Sequence, residues 1–164
     1  MTPRLNELEI VQNPALGAYL IWQFGLGFQA DDSRPAALPL VFIVLPLLLH
    51  SQTLQVIGST RKTSGLTLFA AKLAEERENL LAVHERARLL RTLTLESIVL
   101  GIQSKLLSVD YDQATLRANT LLEPSAKPFL PEHLRGLPAS ADKIGHWFSK
   151  AGLGQVANTL KVEF

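Results

Sequence analysis

The chain contains 164 residues, carries a formal net charge of +1 at neutral pH and has no cysteine. The small net charge excludes a protein that is drawn to nucleic acid or to an anionic membrane by its overall charge. The missing cysteines exclude disulfides, thiolate metal sites and a cysteine nucleophile. A chain of this length most often forms one domain, expected here over residues 1–164. Charged residues make up only 19% of it, below the usual quarter, which favours a subunit that covers part of its surface in a complex.

The first predicted helix begins at Pro14. Asn13 suits the capping position before it, and proline suits the first helical position. The glycines at positions 17, 25 and 27 are unfavourable inside a helix. Either another backbone approaches closely at these positions, or the helix ends near Gly25. The residues before it lack the basic start and apolar stretch of a signal peptide, which predicts a cytoplasmic location.

The run from Pro35 to Leu49 has no charged or polar side chain. A helix that crosses a bilayer needs about 20 apolar residues, and shorter runs are more typical of buried helices. Pro46 lies inside the run, where it removes a backbone donor and kinks or offsets a helix. The pattern therefore predicts a core helix and no membrane contact. A turn is predicted next, around Gly58, and His50 is expected to cap a helix or to border the core.

Two further helical stretches are predicted over residues 65–76 and 77–106. The apolar residues of the second recur with the 3.6-residue period of a helix, and Thr92 and Thr94 mark a bend or a join within it. Residues 106–118 then alternate between apolar and polar side chains, which predicts a β-hairpin that turns near Asp112 and Gln113. A proline-rich arm over residues 121–138 comes before a last helix, which ends at Gly152, and a tail with a strand over residues 160–164.

The predicted fold class is mainly α, a compact helical domain with a small β-hairpin. The N-terminal helices occupy residues 14–105, the hairpin about 106–118, the arm about 121–138, and the C-terminal helix and tail 139–164. Three helices followed by a hairpin is also the order of elements in a winged helix. The similarity to a winged helix lies only in this order of elements.

The sequence predicts no catalytic, cofactor-binding or metal-binding site. Its glycine-rich segments lack the lysine of a phosphate-binding loop, and no two of its four histidines have metal-ligand spacing. Ser64, His84 and Asp142 are the residue types of a catalytic triad, but no nucleophile-elbow sequence surrounds the serine, so the sequence does not support a triad. We therefore expect a protein that has no cofactor and is not an enzyme.

Basic residues recur on one side of the long helical pattern. Together with the preceding turn they predict a basic patch, in which the candidates for contact with DNA are Arg61, Lys62, Arg88 and Arg91. The alternative interpretation is a solvated helix face that nearby glutamates neutralise. That alternative is favoured, because scattered acids weaken the field on which phosphate binding depends.

Aromatic residues are the candidates for a partner interface, because interfaces concentrate their binding energy in a few aromatic and arginine side chains. The candidates are Trp22, Phe28, Trp147 and Phe148. The alternative interpretation of the adjacent pair Trp147 and Phe148 is an anchor in the core.

Three segments carry a resemblance to a known family. They are "NPALGAYLIWQF" (13–24), "LPLVFIVLPLLLH" (38–50) with Thr53 soon after it, and "KIGHWFSKAG" with "LKVEF" near the end (143–164). In this combination the chain resembles the middle component of three-component ABC systems, which are bacterial conflict systems related to the Lamassu group. The resemblance covers most of the chain and is least diagnostic over residues 107–138.

The resemblance implies a small non-catalytic accessory subunit of an anti-phage defence complex. Its implied partners are an SMC-like or ABC-type ATPase and an effector, often a nuclease, which the subunit would bridge, with DNA reached through the complex. The alternative, from another class of protein, is a stand-alone winged-helix regulator that binds DNA through Arg88, Arg91 and the hairpin.

Overall fold

The structure, a computed structural model, describes residues 13–121 and 130–164. It is mainly α with a small antiparallel sheet, which confirms the predicted fold class. Its α-helices are α1 (Pro14–Gln29), α2 (Leu38–Leu48), α3 (Ser51–Ser59), α4 (Gly65–Leu73), α5 (Arg77–Leu89), α6 (Arg91–Gln103), α7 (Gly136–Ala151) and α8 (Leu153–Leu160). Its strands are β1 (Ala36–Ala37), β2 (Leu107–Asp110) and β3 (Thr115–Ala118), and short 3-10 helices lie at Lys62–Ser64 and Glu132–Leu134.

Helix α1 lies at the centre of the fold and is buried on nearly every side. The side chain of Asn13 accepts a hydrogen bond of 3.1 Å from the backbone N–H of Leu16, which is the predicted cap. α1 packs most extensively against α7 and α6. A Cβ atom added at Gly27 would lie 2.2 Å from the carbonyl oxygen of Asp142, and one added at Gly145 would lie 2.1 Å from that of Phe24. The glycines therefore permit close approach, and the helix continues beyond Gly25.

The apolar run forms strand β1 and helix α2, and most of α2 is buried. This confirms the predicted core helix, with Pro46 inside its last turn. Among the described residues, no single helix is long and apolar enough to cross a membrane. In the part of the chain that the structure describes, one pair of helices, α2 and α3, reaches the necessary length and composition together, and the two are bent by 100° relative to each other.

Helix α3 replaces the turn predicted around Gly58, and the chain turns after it, at Thr60. His50 caps this helix: its Nδ1 accepts the backbone N–H of Thr53, as the sequence led us to expect of this histidine. At the other end, Lys72 donates to the carbonyl oxygen of Ser59. Lys143 donates to the carbonyls of residues 57 and 60, at 2.9 Å each. Cations at the C-terminus of a helix stabilise its unpaired carbonyls, and these two lysines come from other helices, α4 and α7.

The long helical pattern is divided into α5 and α6 at Leu90, two residues before the predicted join. The hairpin is confirmed, with Leu107 paired to Ala118 and Asp110 paired to Thr115. The structure adds β1, which pairs antiparallel with β3 and gives the strand order β1-β3-β2. The side-chain amide of Gln29 bonds both backbone groups of Ala118, which ties the end of α1 to β3.

The C-terminal region differs from its prediction in two respects. Helix α7 begins at Gly136, within the predicted arm, and ends before Gly152 as expected. Residues 153–160 form α8, and the tail that follows is not a strand, so the predicted strand is wrong. Leu160 and Val162 instead join the hydrophobic core, to which every α-helix from α1 to α8 of the described residues contributes. Residues 122–129 of the predicted arm lie outside the described residues.

Two Gly→Ala substitutions are expected to have opposite effects on stability, because only one of them lies in the close contact between α1 and α7. Gly145→Ala is expected to lower the free energy of unfolding by about 1–3 kcal/mol, because the new methyl group meets backbone atoms of α1. Gly58→Ala in α3 meets no atom within 4 Å and should raise the free energy of unfolding by about 0.5 kcal/mol through helix propensity. Urea denaturation of the two variants measures both changes. A neutral Gly145→Ala would contradict the packing described for α1 and α7.

Candidate functional site

The four aromatic candidates for a partner interface lie in the core. Trp22, Phe28, Trp147 and Phe148 are exposed by 2%, 4%, 1% and 0%. The indole of Trp22 donates to the carbonyl oxygen of Asn119 at 2.7 Å, and that of Trp147 donates to the carbonyl oxygen of Lys62 at 2.9 Å. Their polar groups are therefore satisfied inside the protein. This corrects the expectation of a surface role, because a partner cannot reach these four side chains without unfolding the core.

Aliphatic side chains on α6 form an exposed apolar surface instead. Leu95 is 46% exposed and Val99 is 52% exposed, and they lie one helical turn apart. Together with Pro14, Glu96, Leu100 and Gln103 they line a shallow depression of about 440 Å³. We call these residues the α6 surface. Neighbouring exposed apolar side chains beside a depression are a candidate for an interaction site.

The four basic candidates for DNA contact occupy two different environments. Lys62 forms an ion pair of 2.8 Å with Asp142 of α7, and Arg61 precedes it at the start of the 3-10 helix. Arg88 and Arg91, by contrast, line a groove next to α2. The structure thus does not assemble the predicted patch from all four residues. It keeps Arg88 and Arg91 together and places them beside an apolar surface.

This groove lies between α2, α5 and the last residues of the chain and has a volume of about 350 Å³. Its lining is mostly apolar and consists of Leu38, Pro39, Phe42, Ile43, His84, Ala87, Arg88, Arg91, Ala114, Val162, Glu163 and Phe164. We call it the α2–α5 groove. Sequence reasoning identified its two arginines and missed the contribution of residues 162–164. No local sequence pattern predicts that residues 162–164 line the groove, because their position depends on how α8 packs before them.

His84 holds the end of the chain against this groove. Its Nδ1 accepts a hydrogen bond of 3.2 Å from the backbone N–H of Glu163. A ring nitrogen that accepts a hydrogen bond carries no proton, so a ring proton of His84 lies on Nε2 in this arrangement. Val162 is buried beside it, whereas Phe164 is 56% exposed. His84 is therefore a structural residue of the groove wall, whereas Asp142 is paired with Lys62.

The candidate site thus consists of two surfaces, the α6 surface and the α2–α5 groove. Comparison with known proteins identifies the family of the chain. The family model of the ABC-three component (ABC-3C) system Middle Component 3 matches residues 1–164. The chain belongs to this family. No curated protein and no solved structure matches it. The resemblance found in the sequence is confirmed at the level of a middle component of an ABC-3C system.

In this middle component, Arg86 connects three residues that are separated in sequence, Pro46, His50 and Thr53, through hydrogen bonds. Its guanidinium donates to the carbonyl oxygen of Pro46, at 3.4 Å, and to the hydroxyl of Thr53, at 3.2 Å. That hydroxyl lies 2.8 Å from Nδ1 of His50. Since the backbone N–H of Thr53 also points to this nitrogen, Nδ1 is an acceptor and the hydroxyl donates to it. The apolar run, its histidine and the threonine after it are thereby connected through one cation.

Burial lowers the pKa of the Arg86 guanidinium, which still carries its charge at neutral pH because arginine normally titrates far above that range. Placed at the C-terminus of α2, the charge is stabilised by the carbonyl dipoles of the helix. Sequence patterns alone do not distinguish Arg86 from Arg88, since both belong to the same charged helical pattern. Within residues 13–121 and 130–164, no group of three or more acidic or histidine side chains could hold a metal ion.

Arg86 and Arg88 offer a matched pair of substitutions in α5. Arg86→Ala is expected to lower the free energy of unfolding by about 1–3 kcal/mol, because the partly buried oxygens of Pro46 and Thr53 lose their charged donor. Arg88 is mostly exposed and has one weak ion pair, with Glu85, so Arg88→Ala should change the free energy of unfolding by less than about 0.5 kcal/mol. Thermal and urea denaturation of both variants measure these changes in the free energy of unfolding. Equal effects of the two substitutions would contradict the structural role assigned to Arg86.

Proposed function

We propose that this middle component is a non-catalytic subunit of a Lamassu-type anti-phage complex. In this proposal it bridges an SMC-like or ABC-type ATPase and an effector, a nuclease, in the bacterial cytoplasm where ATP is available. Contact with DNA is made mainly by the other subunits. The subunit contributes binding surfaces and no chemical step.

The observation that carries the proposal is the presence of two uncovered surfaces on one small member of a multi-component family. A bridge needs two places at which partners bind. The α6 surface is apolar and exposed, and the α2–α5 groove is apolar with two arginines at its side. Both involve α6, since Arg91 is its first residue and Leu95 and Val99 follow along it.

The polar residues that would be candidates for chemistry are engaged in bonds that support the fold. His50 caps α3, His84 accepts from the backbone of Glu163, and Asp142 is paired with Lys62. These assignments give each residue a structural reason to be present. They support a subunit that acts by association.

A stand-alone DNA-binding regulator is the alternative, and the sheet with its preceding helix gives it some support. In helix-turn-helix proteins the recognition helix contacts base edges and carries side chains suited to hydrogen bonding. The helix before the hairpin here is α6, whose outward face presents Leu95, Glu96 and Val99. Asp110 at the end of β2 and Asp112 in the turn of the hairpin carry negative charge, which repels phosphate. The outward chemistry therefore favours a protein partner over DNA.

The proposal predicts that charge placed on the α6 surface abolishes assembly. The double substitution Leu95→Glu and Val99→Glu should remove copurification with the subunits encoded by neighbouring genes, since carboxylates would have to be buried unpaired. Protection against phage should be lost with it, and circular dichroism should show an unchanged helical fold because both side chains are exposed. The control is Gln52→Glu with Gln55→Glu, which adds the same charge to exposed positions of α3 and should leave the complex intact.

Two results would contradict the bridging role. One is a wild-type subunit that never copurifies with an ATPase when its neighbours are co-expressed. The other is full protection against phage after deletion of its gene. Turnover of a nucleotide or nucleic acid by the isolated subunit would contradict the non-catalytic part of the proposal separately.

A further inference from the structure

We infer that the α2–α5 groove binds a short acidic and apolar segment of a partner protein, in which carboxylate side chains lie next to large aliphatic or aromatic ones. The inference rests on the proposed function for the existence of a partner. It goes further by assigning one surface and the chemistry of its ligand.

The floor of the groove is suited to apolar side chains. Leu38, Pro39 and Phe42 belong to the N-terminal half of α2 and remain partly accessible, whereas the rest of that helix is mostly buried. The volume of about 350 Å³ lies within the range of about 300–1,000 Å³ that binding clefts occupy. Burial of one or two large side chains in such a cleft would supply apolar contact, at about 25 cal/mol for each Å² removed from water.

The side of the groove supplies positive charge that no close ion pair of the described residues neutralises. Arg88 and Arg91 are both exposed and lie three positions apart, at the end of α5 and the start of α6. Within the described part of the chain, Arg91 forms no ion pair, and Arg88 has only a 3.5 Å contact with the exposed Glu85. Exposed pairs of this kind are worth little, so both guanidinium groups are available to a ligand. Arginine binds carboxylates with two parallel hydrogen bonds, which selects acidic residues of a partner.

The chain's own tail shows which chemistry this groove accepts. Residues 162–164 read Val-Glu-Phe, an acidic residue between two apolar ones, and all three line the groove. Val162 is buried, and the backbone of Glu163 is fixed by His84. One acidic residue, Glu163, thus already belongs to the lining, together with the two arginines. A partner segment with the same composition would extend along the open part of the groove and complete the charge balance.

Nucleic acid fits the same surface less well. Phosphate binding draws on charge and release of counterions and gains nothing from an apolar floor. The negative charge of Glu163 in the groove lining also opposes a phosphate backbone. Because of the two arginines, binding of DNA is the competing outcome that the experiment tests. The apolar lining favours a protein segment over DNA.

The test is selection of short random peptides displayed on phage against the whole chain. Enriched peptides are expected to carry Asp or Glu next to Leu, Ile or Phe. A labelled peptide of the enriched sequence should bind at least tenfold more weakly to the Arg88→Glu, Arg91→Glu variant. The control variant, Arg61→Glu with Arg77→Glu, reverses the same number of exposed charges elsewhere and should bind the peptide as the wild type does. Ala87→Trp, which fills the groove without changing its charge, should also weaken binding at least tenfold.

Three outcomes would overturn the inference: no enrichment, enrichment of basic peptides, or peptide binding that the groove variants leave unchanged. Binding of labelled duplex DNA that is lost in the Arg88→Glu, Arg91→Glu variant, without any peptide selection, would assign the surface to nucleic acid. Failure of the bridging role is recognised separately. In that case the acidic peptides are still selected, but the wild-type subunit does not copurify with its neighbours.

Discussion

The close contact between α1 and α7, in which a glycine of each helix meets the backbone of the other, fixes the positions of the remaining elements. α1 also packs against α6 and is tied to β3 through Gln29, so one helix orients the bundle and the sheet together. A helix that is apolar on all sides has to be enclosed, and here α6, α7, α2 and the sheet enclose it. The elements that carry exposed apolar surface, α5 and the outer face of α6, are placed around this centre.

Strong local signals predicted much of this fold. The Asn13-Pro14 cap, the apolar run, the hairpin turn and the helix end at Gly152 each depend on residues close in sequence, and each is present. Strand β1 was missed because two alanines carry no strand pattern and pair with β3, nearly eighty residues later. Helix α3 was missed because its ends are stabilised by His50 at one end and by Lys72 and Lys143 at the other, and the two lysines come from other helices. Tertiary contacts supply what local propensity lacks.

The site was harder to predict than the fold, for reasons visible in single side chains. Trp22 and Trp147 are amphipathic residues that suit interfaces, yet each finds a backbone carbonyl inside the protein, so nothing keeps it at the surface. In α6 the apolar residues lie on all sides of the helix, and periodicity alone cannot separate the buried Leu93 and Ile98 from the exposed Leu95 and Val99. Which of them face outward is decided by the neighbouring α1.

Two sets of cations among the described residues differ in what they contact, and the difference bears on how a bridging subunit would gain specificity. Arg86, Lys72 and Lys143 are directed at carbonyl oxygens near the ends of α2 and α3, where they stabilise the fold. Arg88 and Arg91 have no comparable structural bonds among the described residues and face the α2–α5 groove. In a chain with few charges, cations without a structural partner beside an apolar cleft provide orientation that apolar contact alone does not. The α6 surface, which has Glu96 and no arginine among its lining residues, differs in charge from the groove. Two surfaces of different charge on one subunit would select different partners, and a bridge requires that difference.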